Sequence, residues 1–277
     1  MRLNFKAKAT IPVLSVYKNV SNGETVFMYV FVFYTCISAL FNVQIVMEYM
    51  DRGSLAEILS CDHPIPEQHI AYVCRCLLSA LDALHSQNRI HRGIYKAFYF
   101  HIYHNHHNHN HHHHHHPHSI DIKSDNILLD SQGHVKLADF GFAVYLQENT
   151  QRKSVVGTPF WMAPELIHGK GYGMAVDVWS AGITALEMAE GEPPFYHDPP
   201  IKALLNIHTG PAPELKTPSQ WSNKFRSFLR LVLEKDVSKR ATVKELLMHP
   251  FMQEASTPEV FASFLNSALA RNKRVNA

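Results

Sequence analysis

Oxygen-bearing side chains recur at fixed intervals through the middle of this chain. Asp121-Ile122-Lys123-Ser124-Asp125-Asn126 sets a carboxylate and a carboxamide five residues apart, and Asp139-Phe140-Gly141 begins thirteen residues after Asn126. Carboxylate and amide oxygens are hard donors suited to Mg²⁺, which takes one or two protein ligands and completes its shell with water or phosphate oxygens. A carboxylate in such a set can also orient an attacking hydroxyl. Alone, Asp-x-x-x-x-Asn describes a solvated turn equally well. The series continues, however, through Gly157-Thr158-Pro159-Phe160-Trp161-Met162-Ala163-Pro164-Glu165, then Asp177-Val178-Trp179-Ser180, then a late Arg240.

In that order and at those separations, the motifs resemble the second half of the protein-kinase signature set. Phe142 after Asp-Phe-Gly, Ser124-Asp125 before Asn126, and Gly191-Glu192-Pro193-Pro194 are similar to the PAK group of Ser/Thr kinases. The likeness covers roughly Ile45 to Arg92 and Asp121 to Phe251. It implies an α+β protein-kinase-like fold, represented here by a mainly α-helical large lobe, with the small β-lobe absent or incomplete. The activity it implies is transfer of the ATP γ-phosphoryl to Ser or Thr of protein substrates, with ATP and Mg²⁺ as cofactors. Such chemistry asks a protein for charge neutralisation and positioning rather than covalent help.

The resemblance assigns roles residue by residue. Asp121 would face the substrate hydroxyl, Asn126 and Asp139 would hold Mg²⁺, and Lys123 would contact the γ-phosphate. Thr158 would face that lysine from the loop that receives the substrate. Val46-Met47-Glu48-Tyr49-Met50 looks like the hinge beneath adenine, with Met47 as gatekeeper and backbone groups of Glu48 and Met50 offered to the base. Its position just before Gly53-Ser54-Leu55 supports that reading, since any buried strand has a similar composition. Ser154, in the basic stretch Arg152-Lys153-Ser154, falls where an activating phosphate is carried. A phosphate there adds nearly two negative charges and orders a loop by pairing with arginine, and Arg92 is the expected partner. Arg240 would pair with Glu165 and brace the substrate loop, and Asp177 would have a structural role.

Three features depart from the family. The only glycine in the first fifty residues is Gly23, so no G-x-G-x-x-G precedes Ile45, and Lys6, Lys8 and Lys18 lack a Val-Ala-Ile-Lys context. No phosphate-clamping lysine is assigned, and Ile11 to Tyr17 is at most a strand of that lobe. Second, 28 residues, Gly93 to Ile120, separate His91-Arg92 from Asp121, and twelve of them are histidine. Looping them out costs about 3 kcal/mol of closure entropy. Three readings compete for the insert: a dedicated metal site, disfavoured because runs such as His111 to His116 bind metal nonspecifically and lack ligand spacing, a solvated low-complexity loop, and translated noncoding sequence, which is favoured. Codons GGT for Gly93 and ATA-GAC for Ile120-Asp121 permit the last, and its removal restores His91-Arg92-Asp121. Third, Val26 to Met47 is uncharged for 22 residues, long enough to cross a bilayer. Because it ends inside the hinge motif, a membrane span is disfavoured, and its Phe, Tyr and Val bias also fits noncoding sequence.

Composition agrees with a soluble, cytoplasmic protein. An apolar content of 46% supports a sizeable core, and the first 25 residues show no cleavable signal peptide. Cys36, Cys61, Cys74 and Cys76 lack zinc spacing and read as reduced thiols. A net charge of +2 gives no case for nucleic acid. The partners implied are protein substrates and, by family analogy alone, an upstream kinase or a small GTPase. A noncatalytic, pseudokinase-like scaffold is the alternative.

The elements that must hold these groups are mainly helical. Ile70, Val73, Cys74, Leu77, Leu81 and Leu84 recur at helical spacing within Glu67–Ser86. Asp177 to Met188 is apolar nearly all round, Trp221 to Leu233 is amphipathic, and Thr242 to Met248 forms a short helix. Thr257-Pro258-Glu259 starts a tail helix reaching about Arg271. Gly133-His134 turns a hairpin between Ile127-Leu128-Leu129 and Val135-Lys136-Leu137. The expected organisation is an aberrant segment at 1–44, the kinase region at 45–92 and 121–251, the insertion at 93–120, and a helical tail at 252–277.

Overall fold

The computed structural model describes residues 30–37, 40–61, 64–86, 89–93, 122–138, 142–145, 159–168 and 172–275. Its helices are α1 (Leu55–Cys61), α2 (Glu67–His85), α3 (Pro164–His168), α4 (Ala175–Glu190), α5 (Pro200–Thr209), α6 (Asn223–Val232), α7 (Val243–Leu247) and α8 (Pro258–Val275). Three antiparallel ladders accompany them among the described residues: β1 (Val30–Ile37) with β2 (Leu40–Met47), β3 (Arg89–Gly93) with β6 (Phe142–Tyr145), and β4 (Ile127–Leu129) with β5 (Val135–Leu137). Among the described residues the fold is mainly helical, as the large lobe implied by the resemblance should be, with a two-stranded sheet ahead of Glu48.

Helix α2 forms the middle of the core. Ile70, Val73, Leu77, Leu81 and Leu84 are nearly inaccessible along its length, at no more than 3% exposure. Its start is fixed by Pro66, whose carbonyl accepts the His69 and Ile70 amides. Helix α4 packs against it and ends at Gly191, whose φ of +85° is the left-handed conformation that glycine adopts without a Cβ penalty. The sequence of α4 reads as apolar nearly all round, but one line along it is polar and buried. Asp177, Ser180 and Thr184 are fully inaccessible and Glu187 is 5% exposed. Spacings of three, four and three residues place them on one helical face. Each carries a hydrogen bond, because a buried polar group left without one costs about 1–3 kcal/mol.

The uncharged run ahead of the hinge forms β1 and β2, paired from Val30 opposite Met47 to Ile37 opposite Leu40. The described part is therefore a hairpin and not a helix. Among the described residues no helix is long and apolar enough to cross a membrane. The β4–β5 turn forms where Gly133 predicts it. Asp130 Oδ1 accepts the Gln132 and His134 amides, and Gly133 has a φ of +86°. A Cβ at Gly133 would also lie 2.0 Å from the Pro258 carbonyl oxygen, so no larger residue fits beneath α8.

Local signals fix the C-terminal helices. Ser222 Oγ accepts the Phe225 amide at the start of α6, and Thr242 with Glu245 forms a reciprocal capping box on α7. Helix α8 runs past Arg271 to Val275. Its Phe261, Leu265 and Ala268 are buried, with the Phe261 ring 5.3 Å from that of Tyr72 on α2.

Candidate active site

The segment Ile122 to Ile127 alternates between anchoring and presenting. Ile122, Ser124 and Ile127 are at most 1% exposed, which leaves Lys123 and Asn126 half-buried and Asp125 exposed. Ser124–Asn126 forms one 3₁₀ turn, closed by the Asn126 amide donating to the Lys123 carbonyl at 3.0 Å. Lys123 Nζ lies 3.6 Å from Asp125 Oδ2. From this turn the chain enters β4, reverses at Gly133, and returns along β5 with Ile127 opposite Leu137. Ala138, the residue before Asp139, then donates its amide to the Asn126 carbonyl at 2.7 Å.

The segment Glu48 to Gly53 is stitched to the same hairpin. The Arg52 amide donates to the Leu129 carbonyl, and the Leu129 amide donates to the Gly53 carbonyl. Met50 is 8% exposed, and its carbonyl accepts the Gly53 amide at 3.4 Å. Glu48 Oε2 lies 3.3 Å from Nζ of Lys136, a β5 lysine whose side chain is only 5% exposed. Asp51 Oδ1 accepts the Ser131 amide, and that bond is the first cause holding its carboxyl below the usual range. Gly93 pairs with Phe142, with a register irregularity between Ile90 and Gly93, so the strand carrying Arg92 runs beside the one that follows Asp-Phe-Gly.

On the opposite side, Pro159–Trp161 forms a second 3₁₀ turn. Beyond it, Glu165 takes a bidentate pair from Arg240, with Nη1 to Oε1 at 2.6 Å and Nη2 to Oε2 at 3.0 Å. Arg240 also donates to the Glu234 and Ala175 carbonyls, and its guanidinium stacks 5.1 Å from the Trp179 ring centre. Its fork is thus used on several sides, which the planar guanidinium allows.

Helix α4 ties these pieces together. His85 Nε2 lies 2.9 Å from Asp177 Oδ2, and Ser180 Oγ donates to the Trp161 carbonyl at 2.8 Å. Glu187 Oε1 accepts the Ser124 hydroxyl at 2.5 Å, and Oε2 accepts the Trp161 indole N–H at 2.9 Å. Burial pushes the Glu187 carboxyl up to about 7, with the Asp125 charge adding to the rise and the Ser124 and Trp161 hydrogen bonds opposing it.

Of the residues singled out in the sequence, Lys123 and Asn126 share one turn, Glu48 and Met50 lie against the β4–β5 hairpin, and Glu165 meets Arg240. Asp121, Asp139, Ser154 and Thr158 lie outside the described residues, as do Lys6, Lys8, Lys18, Ile11 to Tyr17 and the histidine run. Met47 ends β2 and Arg92 sits in β3. Among the described residues no group of three or more His, Cys, Asp or Glu is arranged to hold a metal ion. The oxygen donors at the turn, Asn126 and Asp125, are of the type Mg²⁺ takes. Cys74 is buried, and Cys61 and Cys76 are partly buried. Glu187 and His85 escape a motif-based reading. Their signal was polar residues at helical spacing inside an otherwise apolar helix, and a histidine at the end of α2.

A family model described as the protein kinase domain matches residues 103–252, more than half of the chain. The chain belongs to the protein kinase family. Among its relatives, serine/threonine-protein kinase pakA of Dictyostelium discoideum is 41% identical over 92% of this chain and 19% of its own length. The pakB kinase of the same organism is 45% identical over 76% of this chain and 22% of its own. Serine/threonine-protein kinase PAK 1 of Mus musculus is 42% identical over 83% of this chain and 37% of its own. Within the family, then, the chain falls with the PAK-group serine/threonine kinases, and it spans well under half the length of these relatives.

Proposed function

We propose that this chain carries the large lobe of a serine/threonine kinase that moves the γ-phosphoryl of ATP to protein Ser or Thr, with impaired activity in the chain as written. The observation supporting it most directly is the hairpin geometry, in which the Ala138 amide binds the Asn126 carbonyl. Two positions assigned to metal ligands, Asn126 and Asp139, thus adjoin one backbone hydrogen bond. In this reading Asp121 takes the hydroxyl proton of the substrate, Lys123 meets the phosphates, and Met47, Glu48 and Met50 face the base. Bound Mg²⁺ supplies charge neutralisation. Arg92 receives a phosphate on Ser154, and Thr158 faces Lys123. Arg240 and Glu165 brace the loop that accepts the substrate, while Asp177 anchors the centre through His85.

Impairment follows from two sequence facts. No glycine-rich loop or Val-Ala-Ile-Lys lysine stands before Ile45, and 28 residues part Arg92 from Asp121. The same facts favour a second reading, a noncatalytic module that holds a partner on the surface around Thr158 to Glu165. We assign 1–44 to an aberrant segment, 93–120 to an insertion and 252–277 to a tail, and place the protein in the cytoplasm. Regulation by an upstream kinase or a small GTPase is carried over from the PAK likeness alone. ATP affinity measured with and without Mg²⁺ separates the readings. Mg²⁺-dependent binding supports the kinase, and no binding at millimolar ATP assigns the chain to the noncatalytic class.

A further inference from the structure

Lys235 is a cation to which the kinase reading gives no task. It is half-buried, and its Nζ donates to the carbonyls of Ile207 at 3.0 Å, His208 at 2.9 Å and Gly210 at 2.6 Å. An ammonium has three protons and no acceptor. All three are therefore spent on one structure, the C-terminal end of α5. Helix ends leave their last carbonyls without intrahelical partners, and a cation is favoured there by the helix dipole. Gly210 leaves α5 in an extended conformation, with its amide on the Asn206 carbonyl at 2.8 Å. Burial lowers the pKa of Lys235 from its ordinary value, as expected of an ammonium drawn out of water.

Helix α5 needs such a tie. Of its ten residues only Ala203 and Ile207 are buried, and so short a helix is marginal without tertiary support. It packs against α3 and against the Pro159–Trp161 turn. The loop that supplies Lys235 is itself fixed. The Asp236 carbonyl accepts the Lys239 and Arg240 amides, and the Ala241 amide returns to the Leu231 carbonyl of α6. Arg240, on the same loop, donates to the Glu234 carbonyl and grips Glu165 of α3. One loop thus holds both helices that flank the turn. We propose that Lys235 is a positioning residue that pins the end of α5 to this loop, so that α5 keeps the Pro159–Trp161 turn in the placement a protein acceptor meets. What the turn meets rests on the kinase reading; the pin itself rests on the hydrogen bonds.

The chemistry of the contact gives a discriminating set of variants. Lys235→Met keeps a long apolar stem and loses every donor. Lys235→Arg keeps the charge and several N–H donors, though in a planar fork. Lys239→Met is the control, because Lys239 is an exposed residue of the same loop whose ammonium pairs with Asp236.

Hydrogen exchange on the full chain reads the pin without any turnover. The probes are the Gly210 amide, bonded to the Asn206 carbonyl, and the Met162 amide, bonded to the Pro159 carbonyl. Lys235→Met should speed exchange at Gly210 by about ten- to hundredfold, as expected for losing charge-assisted hydrogen bonds. Met162 should follow in the same direction, while α2 amides keep their protection. Lys235→Arg should fall between parent and Met variant, and Lys239→Met should match the parent. The proposal is overturned if Gly210 loosens and Met162 does not, because the pin then fails to reach the turn. It is equally overturned if the Arg and Met variants behave alike, or if α2 loosens to the same degree, which is general instability. Where the parent phosphorylates a protein acceptor, Lys235→Met should raise KM for that acceptor about tenfold, with kcat and the KM for ATP unchanged. A fall in kcat at unchanged acceptor KM would overturn the positioning role. A parent without turnover counts against the kinase reading and leaves the exchange test of the pin intact.

Discussion

Ala138 donates its backbone N–H to the carbonyl oxygen of Asn126 across 2.7 Å. The bond closes the open end of the β4–β5 hairpin, so the side chain of Asn126 departs from a fixed point while remaining half-buried. Because the bond is backbone to backbone, replacing the side chain leaves it in place. If Asn126 holds Mg²⁺ as proposed, Asn126→Ala should therefore remove that donor without opening the hairpin. Loss of an interaction that orients or holds a metal costs about 10- to 100-fold in affinity or activity. The expected result is a drop of that size in Mg²⁺-dependent ATP binding, with Asn126→Asp retaining most of it. Titration calorimetry at several Mg²⁺ concentrations checks this.

The Glu165–Arg240 pair predicts stability rather than affinity. The Arg240 side chain is fully buried and that of Glu165 only 14% exposed, so truncating one partner strands the other's charge. Arg240→Met should destabilise the chain by about 3–5 kcal/mol, and the double change Arg240→Met with Glu165→Leu should recover a good part of that. Arg240→Lys should not rescue, because an ammonium cannot make the bidentate fork. Urea denaturation of the three variants reads these differences.

Both predictions concern residues visible in the sequence, and the reason is physical. Motif residues sit where chemistry restricts the choice of side chain, so their order and spacing stand out. Helix α2 was legible because one face must be apolar, and the glycine turn because Gly133 must take a positive φ beneath Pro258. The polar line of α4 was harder to see. A helix buried on every side loses the contrast between faces on which periodicity depends, and Thr184 reads as a neutral filler until its partner is placed. The run before the hinge was ambiguous for a related reason: without charges it fits a membrane span, a buried strand or noncoding sequence. Pairing between Val30 and Met47 is a long-range fact that no local window contains.

Glu187 should give the chain an unusual dependence of stability on pH. Its carboxyl titrates near 4.5 when unfolded and at about 7 when folded, chiefly because of burial. Between those values the folded state binds more protons than the unfolded state, so this group lowers stability as pH rises. The loss is complete above about 7 and is on the order of 3 kcal/mol. Glu187→Gln removes that slope. The difference in unfolding free energy between variant and parent should therefore grow in favour of the variant from pH 5 to pH 8. A flat difference would show that the carboxyl is not held protonated by the fold.

His69 should act in the opposite direction. It is 3% exposed, with Nδ1 2.9 Å from Ser256 Oγ and its ring stacked 4.7 Å from Phe264 and tilted 5.5 Å from Phe261. Burial lowers its pKa below 6.5. The unfolded state then binds the proton first on acidification, so the stability this group contributes above 6.5 is lost as pH falls through the folded value. Because its ring contacts lie on α8, that helix should lose protection first. Limited proteolysis should release the 258–275 region at acid pH in the parent, and His69→Phe should shift the onset to lower pH.

The histidine-rich segment yields the prediction that bears most on activity. In the sequence, 28 residues, Gly93 to Ile120, stand between Arg92 and Asp121. A loop of 28 residues costs little in closure entropy, about 3 kcal/mol. Misplacing a catalytic group by about 1 Å can cost a hundredfold in rate, so geometry outweighs entropy. Deleting Gly93–Ile120 joins Arg92 to Asp121 directly. If the hinge and large lobe suffice for phosphoryl transfer, the deletion should raise the rate by about a hundredfold, measured with ATP, Mg²⁺ and a generic protein acceptor. An unchanged rate would place the defect ahead of the hinge, in the lobe whose glycine-rich loop and lysine this sequence lacks. Sequencing the transcript across the codons for Leu81 to Phe140 then tells whether the deletion reproduces the mature protein. Absence of the histidine codons makes the joined form the natural chain. Their presence makes the split catalytic segment a real feature and the binding-module reading the one to pursue.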